Sequence, residues 1–145
     1  MYPDSTTSPP APGPSLVWCC HSCGNSISPL SAGYSQVDRR KIHAYEKAFA
    51  EWERRVDEAN AGRRLQVIPG DLLLDAPMPV AWTVTCKACD PAADGWDHYW
   101  ISLDRAATWP DVAEWTAHLL GKTWFVHTRW SQLLRDLIGW NGGAA

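Results

Sequence analysis

Cys20-His21-Ser22-Cys23-Gly24-Asn25 and Cys86-Lys87-Ala88-Cys89-Asp90 decide how this chain is read. Each is a Cys-x-x-Cys turn, and two such turns supply the four thiolates of a tetrahedral zinc site. Two residues between cysteines let a tight turn aim both sulfurs at one ion, about 2.3 Å from each. Gly24 gives the first turn access to backbone angles that a Cβ disfavours. Four sulfurs fill the shell and leave no position for water or substrate. The spacing therefore predicts one structural Zn2+ held by Cys20, Cys23, Cys86 and Cys89. Sixty-two residues separate Cys23 from Cys86, far more than the roughly 15–20 of a compact two-knuckle module.

Two other uses of the thiols compete. A redox pair belongs at the start of a helix in a βαβ unit, and neither motif has that setting. A disulfide framework is disfavoured by the odd count of five cysteines and by the lack of a secretory signal, which points to a reducing, cytoplasmic setting. Cys19 adds a local ambiguity. Cys20 has the two-residue spacing to Cys23, whereas Cys19 as ligand needs three. A strand through Leu16-Val17-Trp18 is expected to bury Cys19 as a small apolar residue. His21, inside the turn, is expected to face solvent, with substitution as a ligand the alternative.

The chain has 145 residues, 46% hydrophobic and 20% charged, enough for one domain with its own core. Residues 1–14 contain five prolines and no apolar pattern, and read as a disordered tail. A single zinc-stabilised domain is expected over 15–140, with 141–145 frayed. No run of 18 apolar residues exists, so no membrane association is expected. The net charge of −3 is uneven: residues 37–64 carry eight basic and six acidic side chains, and residues 65–145 five and nine. That distribution argues against broad polyanion binding. Ten tryptophans suit a small core built from large side chains, with a base-stacking platform or an aromatic interface as the rival use.

Between the two turns, Ser35-x-x-Asp38 reads as a capping box opening a helix from about Gln36 to Asn60, with Gly62 as its left-handed cap. Ile42, Tyr45, Phe49, Trp52, Val56 and Ala59 recur at spacings of 3 and 4 and predict one apolar stripe. Packing within the domain is the expected use, and a homodimer through the Ile42–Ala59 face the alternative. Arg39, Arg40 and Lys41 lie where the helix dipole disfavours cations, and Arg63 and Arg64 follow its end. These five are the candidate contacts to nucleic acid or a partner. They flank a helix about 36 Å long, so any nucleic-acid binding is expected to be weak.

Leu65–Ile68 and Leu72–Leu74 read as short strands around Pro69-Gly70. Val80–Thr85 and Trp96–Leu103 read as a hairpin with the second knuckle near its tip. Two C-terminal helices follow. The first starts at Thr108-Trp109-Pro110-Asp111, buries Val112, Trp115, Leu119 and Leu120 and ends at Gly121. The second, capped by Thr128 and stopped by Gly139, buries Trp130, Leu133, Leu134, Leu137 and Ile138.

Strand, Cys-x-x-Cys, strand resembles half of a zinc ribbon, over residues 16–26 and 80–103. The resemblance implies an α+β fold: a zinc-ribbon-like β unit, a long amphipathic helix between its knuckles, and two C-terminal helices. It also implies non-enzymatic, regulatory binding to another protein of the nucleic-acid machinery, with direct DNA or RNA binding as the alternative. A fainter resemblance, to the His-Asn-His nucleases, rests on Asp97-His98 and on His118 with Lys122-Thr123. Here the second knuckle precedes Asp97-His98 instead of following it, and no asparagine lies between Asn60 and Asn141. Glu114 and His118, one helical turn apart, with His98 and His127, form the other candidate metal set.

Overall fold

The computed structural model describes residues 14–90 and 97–143. The expected tail falls almost wholly outside them, as does most of the expected loop from Asp90 to Gly95. The fold is α+β. A three-stranded antiparallel sheet of β1 (Gly33–Asp38), β2 (Thr83–Cys86) and β3 (His98–Ser102) is accompanied by four helices. These are α1 (Arg39–Ala59), α2 (Gly70–Leu74), α3 (Trp109–Leu120) and α4 (Trp130–Trp140).

β1 is the largest departure from the sequence reading. Gly33–Asp38 is the central strand, in the order β2-β1-β3, so the long helix begins at Arg39 and not at Gln36. Its cap is Asp38, whose carboxylate accepts from Arg40 N at 2.8 Å; Ser35 is not a cap but a buried strand residue. The physical reason is alternation. Ser35 lies opposite both Val84 and Ile101, and all three are buried, while Tyr34 and Gln36 pair with Thr85, Ser102, Thr83 and Trp100 on the other face. Three extended residues of that pattern outweigh a capping box whose acid works equally well as the N-cap. The expected hairpin is overturned by the same strand. β2 and β3 do not pair with each other; each pairs with β1 from its own side, and the two run parallel to one another.

The connector after α1 also differs. Leu65–Ile68 forms no strand, and its backbone is held by Asn60, whose side chain bonds Val67 N at 2.9 Å and Val67 O at 2.8 Å. Leu72–Leu74 is helical, with Leu72 buried and its carbonyl accepting from Trp52 Nε1 at 2.7 Å. Trp52 reaches this carbonyl because it lies on the α1 stripe. Gly62 has the expected positive φ of 77°.

The stripe itself is only half realised. Ile42 is buried, whereas Tyr45, Phe49, Trp52, Val56 and Ala59 are half-buried beneath α2 and the turn at Phe125–His127.

Both C-terminal helices form. Thr108 and Asp111 make a reciprocal capping box at the start of α3. Leu120 is 67% exposed because it is one residue, about 100° of helix, beyond the buried Leu119. Thr128 does not cap α4: the N-cap is Arg129, and the Thr128 hydroxyl joins Trp82 Nε1 to Phe125 O. α4 runs through Gly139 to Trp140, and its face buries Trp130, Leu133 and Leu137 but leaves Ile138 exposed. Asn141 is bonded to the entering segment. Its side chain accepts from Val17 N at 2.7 Å and donates to Val17 O at 3.0 Å, tying the start of the domain to its end.

One core cluster joins the inner face of the sheet to α3, α4 and the entering segment, through Trp18, Val37, Val84, Ile101, Leu103, Leu119, Leu133 and Leu137. Trp18, Trp82 and Trp130 are buried within it, and Trp100 and Trp109 are exposed. The core use of tryptophan dominates.

Candidate metal centre

The first knuckle is a turn that its own backbone closes. Gly24 N donates to Cys20 O at 2.8 Å and Cys20 N to Asn25 O at 2.9 Å, with Gly24 at φ 76°. Leu16–Trp18 is not a regular strand; a single bridge, Cys19 to Ser26, stands in its place. The second knuckle begins at the end of β2 and continues as a tight turn over Lys87–Cys89. Gly33 pairs with Cys86, so the knuckle leaves the sheet where β1 enters it.

Backbone and one side chain bring the two turns together. His21 N donates to Val84 O at 2.8 Å, and Val84 N donates back to His21 Nδ1 at 2.8 Å. His21 is therefore no substitute ligand. An Nδ1 that accepts leaves the proton of the neutral ring on Nε2, which faces Asp136 Oδ2 at 3.4 Å. The ring also packs on Trp140, centroids 5.4 Å apart. The sequence reading missed this role, because nothing in the motif shows that β2 lies beside the turn.

The result is a cluster in which the ligand atoms of Cys20, Cys23, Cys86 and Cys89 all lie within 4.8 Å of one another. Bonds of about 2.3 Å at tetrahedral angles require sulfurs about 3.8 Å apart, so the set fits a soft tetrahedral cation with little contraction. The structure selects Cys20 over Cys19. Cys20 is buried with its sulfur in the cluster, while Cys19, expected to be the buried one, is only half-buried and outside it. All five cysteines are free thiols.

Burial opposes ionisation of Cys20, but the backbone at Cys23, Cys86 and Ser22 outweighs it and lowers the thiol to about 6. Cys86 N lies 3.4 Å from the Cys20 sulfur. Cys89 is pushed up to about 12 by its hydrogen bond to Cys86, by burial and by the sulfurs of Cys23 and Cys20. One thiolate is favoured, and four at such spacing require a multivalent cation among them.

The other candidates are not gathered into a site. Arg39 lies 3.7 Å from Asp97 and over the Tyr99 ring, and Arg40 lies 3.9 Å from Asp38. Arg63 and Arg64 follow the far end of α1, whose 21 residues span about 31 Å. Glu114 and His118 share a cavity of about 270 Å3 with Arg105, Asp111 and Trp115. His127 is instead beside Glu46, 3.8 Å away, and against the Tyr45 ring. Among the described residues the four cysteines are the one group of three or more ligating side chains placed to share a metal. No helix among them is long and apolar enough to cross a membrane.

Comparison with protein-family models, with curated proteins and with solved structures returned no match.

Proposed function

We propose that this chain is a zinc-stabilised, non-enzymatic interaction module, with one structural Zn2+ bound by Cys20, Cys23, Cys86 and Cys89. The observation that carries this reading is the convergence of four sulfurs, and among the described residues of no other ligating side chain, from two distant segments. Such a shell has no open position for Lewis-acid chemistry. Its physical work is to fasten the N-terminal segment to β2.

The recognition surface in this reading is the flank of α1 and the connector that follows it. Leu65, Val67, Ile68, Leu73, Leu74 and Met78 are all exposed, with Leu74 at 89%. Large apolar side chains exposed together within one short stretch are the kind of surface that a protein partner covers. The partner is accordingly a protein. Its place in nucleic-acid machinery rests on the resemblance to zinc ribbons alone.

The test is metal analysis of protein purified without chelator, paired with Leu74→Asp. One zinc per chain and a folded Leu74→Asp variant with weakened association are expected. A well-folded wild-type chain without stoichiometric metal would refute the zinc assignment.

A further inference from the structure

The charges of α1 oppose its own dipole at both ends: its first turn has no acidic residue and its last turn no basic one. Arg39, Arg40, Lys41 and Lys47 against Glu46 leave residues 39–48 at +3. Glu51, Glu53, Asp57 and Glu58 against Arg54 and Arg55 leave residues 49–59 at −2. Asp97 and Asp38, beside Arg39 and Arg40, reduce the first figure to +1; at the other end Arg54 already bridges Glu51 and Glu58, and Asp75 beside Arg55 takes the second figure to −3. An antiparallel neighbour with the same charge pattern would relieve both ends at once. Its acidic half and negative dipole end would lie against the basic half, and the converse would hold at the other end.

The same helix has a face for such a neighbour. Along one flank a groove of about 350 Å3 is lined by Ala44, Tyr45, Ala48, Pro77 and Met78, with Lys41 at its edge. Ala44 and Ala48 are exposed and small, so a second backbone can approach closely. Met78 and Leu74, 69% and 89% exposed, belong to the adjoining connector.

We propose that the occupant of this face is a second copy of this chain, with the two α1 helices antiparallel about a twofold axis near their midpoints. The pairing is isologous, so the same residues serve both copies, and the charge asymmetry along α1 sets its direction. Parallel pairing would place like charges together along the whole helix. The proposal rests on the reading of this flank as the interaction surface and names its partner. It also moves the interface from the Ile42–Ala59 stripe, which the chain's own connector half covers, to the flank beside it.

The experiment is sedimentation equilibrium on the zinc-loaded full chain, from submicromolar to high micromolar concentration and at several salt concentrations. A reversible monomer–dimer equilibrium that weakens as salt screens the charges is expected. Leu74→Glu with Met78→Glu should weaken it by about tenfold or more. Lys41→Glu with Lys47→Glu, or Glu51→Lys with Glu58→Lys, should each weaken self-association. An equimolar mixture of these two charge variants should restore dimers. All four charge positions are exposed; losing the Arg54 pairs with Glu51 and Glu58 should cost the helix only a few tenths of a kcal/mol each, so the variants should remain folded, which circular dichroism checks. A zinc-loaded chain that stays monomeric throughout overturns the dimer and leaves the zinc assignment standing. A dimer indifferent to the charge reversals overturns the antiparallel arrangement.

Discussion

Removing the metal tests the central assignment most directly, and the structure sets its expected size. The four-sulfur site closes a loop from Cys23 to Cys86. A cross-link over a loop of that length stabilises by about 4 kcal/mol through the entropy of the unfolded chain alone. The full binding free energy of structural zinc is larger, about 10–16 kcal/mol in zinc-finger peptides, and matches or exceeds the whole stability of an ordinary domain. The loss should exceed the entropic figure, because four crowded thiols replace a neutralised centre. It should fall short of the peptide figure, because other ties hold the same segment. Leu16 N donates to Ala107 O at 2.7 Å, Trp18 Nε1 to Ala106 O at 2.9 Å, and His21 exchanges two bonds with Val84. Chelation, or Cys86→Ser, should therefore lower the melting temperature by at least about 10 °C for a chain of this size and loosen residues 14–27 first. Cys19→Ser should keep its metal and melt close to wild type, since that sulfur lies outside the cluster. Elemental analysis with calorimetry, with and without chelator, reads both quantities. A Cys86→Ser protein that holds one zinc and melts like wild type would refute the ligand assignment. Loss of metal in Cys19→Ser would transfer the first position to Cys19.

Four further outcomes follow from particular contacts. Asn141→Ala should cost about 0.5–1.5 kcal/mol, because water can replace the lost bonds at the exposed Val17 N–H and C=O, read by chemical denaturation and by faster amide exchange at Val17. Ser35→Ala should be neutral or stabilising by up to about 1 kcal/mol, because Ser35 Oγ is buried with no hydrogen-bond partner among the described residues; a marked loss of stability would show that the hydroxyl is satisfied. Ile42→Ala should cost about 2–5 kcal/mol, and Phe49→Ala clearly less than the roughly 3–5 kcal/mol of a fully buried aromatic. Tyr99 is raised above its ordinary value by burial, against the Arg39 charge that lowers it. Its folded pKa thus exceeds its unfolded one, so its contribution to stability is complete below about pH 10 and is lost as pH rises through the folded value. Tyr99→Phe should therefore flatten the alkaline end of the stability profile, and an unchanged slope there would contradict the shift.

The legible parts of this molecule were those that local chemistry determines. Two-residue spacing between cysteines is a property of a turn, and the four sulfurs that meet are the four so spaced. Thr108 and Asp111 carry their capping box within four residues, and the stripe from Ile42 to Ala59 keeps one face of α1 more covered than the rest. What escaped was decided by distant partners. Gly33–Asp38 became a central strand because Val84 and Ile101 lie on either side of Ser35, and neither is near it in sequence. Leu72–Leu74 is helical, as leucine's propensity favours, and not the short strand that the flanking turn signals suggested; Trp52 and the body of α1 lie alongside it. Cys19 and Cys20 exchanged their expected burial for a similar reason. Cys20 turns its sulfur toward the second knuckle and is buried, whereas Cys19 lies outside the cluster and is half-buried.

The strand order gives the metal centre its structural meaning. With β1 between them, β2 and β3 cannot hold each other by a hairpin, and β2 is an edge strand of only four residues. Such a strand, joined to the rest of the sheet along one side, is marginal by itself. Its C-terminal residue is Cys86, and the knuckle that follows is clasped to the turn around Cys20, which is fixed in turn by Trp18 in the core. The other side of β2 receives His21 through Val84. The four sulfurs therefore lie at the one strand whose pairing is least secure, and an ion held among them would close the sheet where a hairpin turn would otherwise have to. A variant that strengthens β2 by other means should therefore depend less on metal, whereas one that weakens β3 should be no more metal-dependent than wild type.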